Sequence, residues 1–186
     1  MCKLIFILRK IDDNTLALKL HWGFRLVFGL LAVIILSSML VTSSEEGGSL
    51  VMVVLIALFV LIALYNESWY FSLPEGDTDR ESAPGGSKPK GLVRHFHGLV
   101  MLAAHSSFSI EDIESIEVKA FRKGSVPGAE SEKKRFFQRD LLTLSLIFTK
   151  GGKKDIEITE AKNKTALQRK AAAISDFTGI SYHSEV

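Results

Sequence analysis

The chain has 186 residues and a formal net charge of +2 at pH 7, which argues against a dedicated nucleic-acid-binding protein. Its single cysteine, Cys2, excludes an intrachain disulfide and a cysteine-rich zinc site, and such sparing use of cysteine is typical of a reducing compartment. Hydrophobic residues make up 47% of the chain, and this share is inflated by two long apolar runs.

Residues 1–21 precede the first apolar run. The β-prone stretches KLIFILRK and TLALKL flank the turn-forming residues Asp12, Asp13 and Asn14. This pattern favours a β-hairpin that joins a later sheet. An interfacial amphipathic helix ending in Trp22 is the alternative.

The two apolar runs, residues 22–42 and 50–70, predict a transmembrane hairpin. A bilayer core of about 30 Å needs about 20 mostly apolar residues in a helix. The first run is interrupted only by Arg25, and neither run has the polar face of a helix in a soluble protein. A cleaved signal peptide is disfavoured, because the amino-terminal flank is too long and a second run follows closely.

The connector, residues 43–49, reads SSEEGGS and sets the predicted orientation. It contains two glutamates and no basic residue, whereas basic residues lie before the first span and after the second. The positive-inside rule then places this loop outside and both termini in the cytoplasm. We therefore expect a two-pass protein of the cytoplasmic (inner) membrane. Close helix packing is expected through Gly29, Ala32, Ser37 and Ser38.

Residues 71–186 are long enough for one cytoplasmic domain. A segment rich in Pro, Gly, Ser and charge predicts a mobile loop over residues 74–91. Alternating Leu142, Leu144, Leu146 and Phe148, a glycine turn and then Ile156 and Ile158 predict a β-hairpin. Residues 161–178 predict a terminal amphipathic helix that ends at Gly179, with an apolar stripe of Leu167, Ala171, Ile174 and Phe177.

This order of parts resembles a pleckstrin-homology-like (PH-like) barrel, in which a terminal helix closes a bent antiparallel sheet. Through ESWYFSL, FSIEDIESIEVK and RKAAAISDFTGISYH, the chain resembles bacterial membrane-anchored PH-like domain proteins with a two-helix transmembrane hairpin. It is also distantly similar in layout to the photosystem I assembly factor family. The resemblance implies an α+β membrane protein that acts as a non-catalytic scaffold, accessory protein or assembly factor, without a cofactor.

His95 and His97 are the strongest candidates for chemistry. They alternate in a predicted strand, so their side chains point the same way and suit two ligands of a metal-dependent enzyme. A third ligand is offered only by His105 or a distant carboxylate, which favours surface or interfacial histidines instead. No nucleophile elbow or phosphate-binding loop is present. We therefore expect no catalytic residue, cofactor or metal site.

Residues 119–154 contain ten basic residues against three acidic ones. Beside an anionic leaflet, each basic residue contributes about 1 kcal/mol to membrane attraction. The leading hypothesis is a scaffold that docks a membrane protein partner or larger complex; the alternatives are an anionic-lipid sensor and a merely solvated face. Homo-oligomerisation is left open. The predicted lipid- or partner-binding patch consists of Arg122, Lys123, Lys133, Lys134, Arg135, Arg139, Lys153 and Lys154.

Overall fold

The computed structural model describes residues 6–42, 50–74, 90–99, 102–122 and 140–186. Within these ranges the chain is an α+β protein with two β-sheets and three α-helices. The predicted connector 43–49 and most of the predicted loop 74–91 lie outside the described residues.

The first sheet, sheet 1, is antiparallel throughout, and its strands follow their order in the chain. Its first two strands form the amino-terminal hairpin, in which the Asp12 carboxylate accepts a hydrogen bond from the Asn14 backbone N–H at 3.0 Å. The segment is therefore a hairpin that joins a sheet, and not an interfacial helix. The strands are β1 (Phe6–Asp12), β2 (Thr15–Leu20), β3 (Tyr65–Ser72), β4 (Leu92–Leu99) and β5 (Leu102–Ser109).

The second sheet, sheet 2, has the order β8-β7-β6-β9. Its β7–β8 hairpin, at one edge of the sheet, confirms the predicted one, and Gly151 and Gly152 supply the positive φ angles of its turn, 78° and 121°. The last strand, β9, was not predicted and pairs parallel to β6. The strands are β6 (Ile113–Arg122), β7 (Asp140–Phe148), β8 (Lys153–Glu160) and β9 (Ser181–Glu185).

The terminal helix, α3, spans Lys164–Thr178 after a short 3-10 turn at Ala161–Asn163. Gly179 ends it in the left-handed conformation (φ 72°), and its N–H donates to the Ser175 carbonyl at 2.7 Å. Only glycine adopts this conformation without steric cost. Leu167, Ala171 and Ile174 are buried and Phe177 packs against the core, which confirms the predicted stripe.

Side chains from both sheets and α3 form one hydrophobic cluster. Sheet 1 contributes Trp69 and Phe71, and sheet 2 contributes Ile116 and Leu144, all fully buried. The predicted PH-like barrel is not confirmed, because the described strands make two sheets that are not closed. A 3-10 turn with buried Ile110 separates β5 of sheet 1 from β6 of sheet 2.

Two apolar helices, α1 (Trp22–Thr42) and α2 (Leu50–Leu64), lie between β2 and β3 in the chain. The stretch Trp22–Leu40 of α1, 19 residues, is long and apolar enough to cross a membrane. The second helix is shorter than the predicted run 50–70. The chain becomes strand β3 at Tyr65, because its backbone pairs with β4 from Tyr65 and with β2 from Ser68.

The two helices pack side by side and are called the helix pair below. The Arg25 guanidinium donates to the Ala63 carbonyl at 3.0 Å, and the Phe28 and Phe59 rings lie 5.9 Å apart. The predicted small-residue contact is wrong for Gly29, whose Cβ position faces open space, whereas Ala32 is buried as expected. Ser37 and Ser38 are both exposed, and the Ser37 hydroxyl donates to its own helix, at the carbonyl of Val33.

Leu144→Ala tests the shared core. Removing this fully buried side chain from β7 is expected to lower the free energy of unfolding by about 2–5 kcal/mol, because a cavity is left between the sheets. Ile158→Ala on the neighbouring strand is the matched control, since Ile158 is 48% exposed. Chemical unfolding in detergent measures both, and equal losses would contradict the packing described here.

Candidate functional site

The predicted basic patch is only partly covered by the described residues. Lys123, Lys133, Lys134, Arg135 and Arg139 lie outside them.

The three described members of the patch are not brought together. Arg122 ends β6 opposite Asp140, whereas Lys154, the second residue of β8, lies opposite Leu146. These two partners are six residues apart along β7, which corresponds to about 20 Å. Arg122 and Lys154 therefore lie towards opposite ends of sheet 2 and do not form one surface.

Lys154 points between the two sheets. Its ammonium donates to the Ser106 hydroxyl of β5 at 3.2 Å. It also lies 4.8 Å from the ring centre of Phe108 and 5.5 Å from that of Trp69, both within the range of cation–π attraction. Its neighbour Lys153 pairs with Asp155 at 3.5 Å. Lys154 therefore ties β8 to sheet 1 and does not belong to an outward basic surface.

His95 and His97 share one face of β4, as the alternation predicted, but their rings stack 4.7 Å apart on the inner side of sheet 1. On its other face, the His95 ring stacks on Trp69 at 3.9 Å. Its Nε2 lies 3.1 Å from a carboxylate oxygen of Glu67. Among the described residues, no group of three histidine, cysteine or acidic side chains could hold a metal ion. The two-histidine metal hypothesis therefore finds no third ligand in the described part of the chain.

The surroundings of His95 favour its neutral form. Burial lowers the pKa of His95 below its ordinary value; the hydrogen bond with Glu67 opposes this effect, and the positive charge of Lys154 adds to it. The Nδ1 atom of His95 is buried without a partner among the described residues. A proton added to this imidazole would be placed in a poorly solvated site beside a cation.

The opposite side of sheet 1, its outer face, carries a row of aromatic rings. This face is defined by the β1–β5 side chains that point away from the core. Tyr70 and Phe96 meet edge to face at 5.6 Å, and Phe96 lies 6.2 Å from the His105 ring on β5. The Lys19 ammonium lies 5.1 Å from the centre of the Tyr70 ring.

Basic residues flank these rings on the outer face. The strand register places Arg9, Ala17, Tyr70 and Arg94 in one row across four strands, with Lys19 in the next row. Except for Asp12 at the β1–β2 turn, the outward positions of the described strands carry no carboxylate. The helix α3 packs against sheet 2 and leaves the outer face uncovered.

Sequence reasoning missed this surface because its residues are far apart in the chain. Arg9, Lys19 and Arg94 come from three strands, and no local charge run marks them. The available signal was strand alternation: in β3, inward Trp69 is followed by outward Tyr70, and in β4, inward His95 follows outward Arg94.

No protein-family model, curated protein or solved structure matches the chain. The resemblance to membrane-anchored PH-like proteins therefore stays a prediction.

Acidification is expected to destabilise the fold through His95. Because its folded pKa is depressed, the unfolded chain binds this proton more readily; the stabilisation is complete above about pH 6.5 and is lost as the pH falls through and below that value. His95→Gln should reduce the difference in unfolding free energy between about pH 7.5 and about pH 5.

The matched control is His183→Gln, since His183 is exposed on β9. It should leave the acid-dependent loss unchanged. Tryptophan fluorescence during chemical unfolding at the two pH values measures both variants. An unchanged acid-dependent loss in His95→Gln would show that the cluster around His95 does not contribute to it.

Proposed function

We propose that this chain is a non-catalytic, membrane-anchored accessory protein. In this proposal the helix pair crosses the cytoplasmic membrane twice, with both termini in the cytoplasm, and the two sheets dock a membrane protein partner. The observation that carries it is the surface of the helix pair. Of the 24 exposed large hydrophobic residues among those described, 18 lie on α1 and α2.

The helix pair exposes apolar side chains on every side. Ala32 is its one buried residue among those whose burial is described, and α2 buries none. Each fully exposed leucine or valine forgoes about 1.5–3 kcal/mol that removal from water would provide. Helices that are apolar on all sides are typical of a lipid environment, where this cost disappears.

The ends of the helix pair suit a membrane interface. Trp22 begins α1 and is 67% exposed, and Tyr65 follows α2 directly. Tryptophan and tyrosine are enriched at this level in membrane proteins. Arg25 donates a hydrogen bond at the carboxyl-terminal end of α2, where its positive charge interacts favourably with the negative end of the helix dipole.

The length of α2 fits a thin or locally adapted bilayer. Its 15 residues extend about 22 Å, less than the ~30 Å hydrocarbon core. Bilayer thinning and flanking residues that reach the interface accommodate such a mismatch at a small cost. The PH-like assignment is part of the same proposal, supported by two sheets that share one core with a helix after the last hairpin.

The outer face supports docking of an acidic partner segment. Aromatic residues and arginine are enriched in protein interfaces, and complementary charge orients the partner. Arg9 and Arg94 lie three strand spacings apart, about 14 Å, with Tyr70 between them. A partner segment with two or three carboxylates can span this row. We assign docking to the outer face because the described members of the predicted patch are separated and Lys154 points inward.

Topology is tested with single cysteines in a Cys2→Ser background. Ser44→Cys in the connector should react with an impermeant maleimide added to intact cells. His183→Cys, exposed on β9, should react only after the cells are opened. Extraction from membranes should require detergent. Labelling of position 183 in intact cells, or release of the chain by alkaline carbonate, would contradict the anchoring.

The partner surface is tested by charge reversal. Arg94→Glu should lower recovery of a stoichiometric membrane partner in mild detergent by at least about tenfold, since placing like charges together costs several kcal/mol. Arg122→Glu, at the end of β6 in sheet 2 and a member of the predicted patch, should leave recovery unchanged. If Arg122→Glu alone lowers recovery, docking belongs to the predicted patch and not to the outer face.

A further inference from the structure

The helix pair joins sheet 1 at one end of its strands. Leu20 ends β2 and only His21 separates it from α1, while Tyr65 begins β3 directly after α2. The strand register then identifies what else lies at this end: Tyr65 pairs with Leu99 of β4, and Leu99 pairs with Leu102 of β5. We call this the anchor end of sheet 1.

Leu102 has an unusual environment for the sheets. It is 78% exposed, as much as Leu50 at the start of α2 and more than any other large hydrophobic residue of the described strands. A single exposed leucine needs no explanation by itself. The position of Leu102 does need an explanation, because the residue lies at the anchor end, only two strands away from β3, which continues α2.

The two ends of sheet 1 differ in polarity. At the end opposite the anchor, the β1–β2 turn carries Asp12, Asp13 and Asn14, and Asp13 pairs with Lys10 at 2.6 Å. At the anchor end, Leu102 of β5 is exposed beside Leu99 of β4, whereas Leu20 of β2 is buried in the core. A polar turn at one end of the sheet and an exposed leucine at the end that joins the helix pair suit a boundary between water and lipid.

We propose that Leu102 inserts into the bilayer interface and gives sheet 1 a membrane contact besides the helix pair. The occupant of this surface is the boundary between headgroups and acyl chains, since Leu102 lies at the end of sheet 1 where the helix pair joins it. The inference rests on the proposed membrane anchoring. Two strand spacings put Leu102 about 10 Å to the side of β3, at the level of Trp22 and Tyr65.

Such a contact fixes the orientation of the outer face. The helix pair alone holds the sheet at adjacent strands β2 and β3, about 4.8 Å apart, which leaves the sheet free to tilt about that line. A contact about 10 Å away restricts this tilt. Tyr70 and Arg94 are then presented at a constant angle to the membrane.

The test uses an environment-sensitive fluorophore on single cysteines in the full chain, with Cys2→Ser and reconstitution in phosphatidylcholine vesicles. The label on Leu102→Cys should emit at shorter wavelength and lose intensity when the lipids carry a spin label near the headgroup. The matched control is Asp13→Cys, at the opposite end of the same sheet, which should show neither effect. An unchanged unfolding transition verifies that each labelled variant is folded.

The outcomes separate this inference from the anchoring. If the label at position 102 is no more quenched than the unquenched label at position 13, while Ser44→Cys still reports an external connector, interfacial insertion is overturned and the anchoring stands. If Ser44→Cys is not external, the anchoring itself fails. Quenching at positions 13 and 102 alike would indicate that the sheet lies flat on the membrane, which also overturns the proposal.

Discussion

The helix pair continues directly, along the chain, into two neighbouring strands of sheet 1. One residue separates β2 from α1, and none separates α2 from β3. Because β2 and β3 also pair with each other, the helices must leave the sheet side by side. The contact of Arg25 with Ala63 secures them at this junction. The position of one part therefore constrains the other, unlike in proteins with a flexible linker.

A second constraint holds the two sheets together. Lys154 reaches from β8 to Ser106 and Trp69, and the Trp69 ring stacks on His95, which contacts Glu67. Buried polar groups are costly unless paired, so each member depends on the others for its partners. Sheet 2 is thereby tied to β3, the same strand that continues α2. The cluster therefore lies against the strand that follows directly on α2.

Local periodicity was enough to predict much of this fold. The apolar run before residue 43, the β7–β8 hairpin and the α3 stripe each follow from the spacing of neighbouring residues. The pairing of strands that are distant in the sequence could not be predicted from such local spacing. The parallel strand β9 and the end of α2 at Leu64 are both fixed by strands distant in the chain, since YNESWYFS continues an apolar run yet pairs with β2 and β4.

The candidate surface also shows that local sequence patterns do not predict which distant residues lie together. Arg122 and Lys154 belong to one basic region of the sequence but lie towards opposite ends of sheet 2, whereas Arg9 and Arg94 are distant in sequence and share one row. Charge density along a chain therefore says little about a charged surface until the register is known.

The register also explains how one strand, β3, joins the helix pair, the core and the outer face. In β3, Trp69 points into the core and Tyr70 points to the outer face. A shift of one residue would exchange these two roles, burying Tyr70 and exposing Trp69. Because β3 begins directly at the end of α2, such a shift would also displace the helix relative to the sheet. Burial of Trp69 therefore fixes the positions of Tyr70 and the adjacent Arg94 relative to the helix pair.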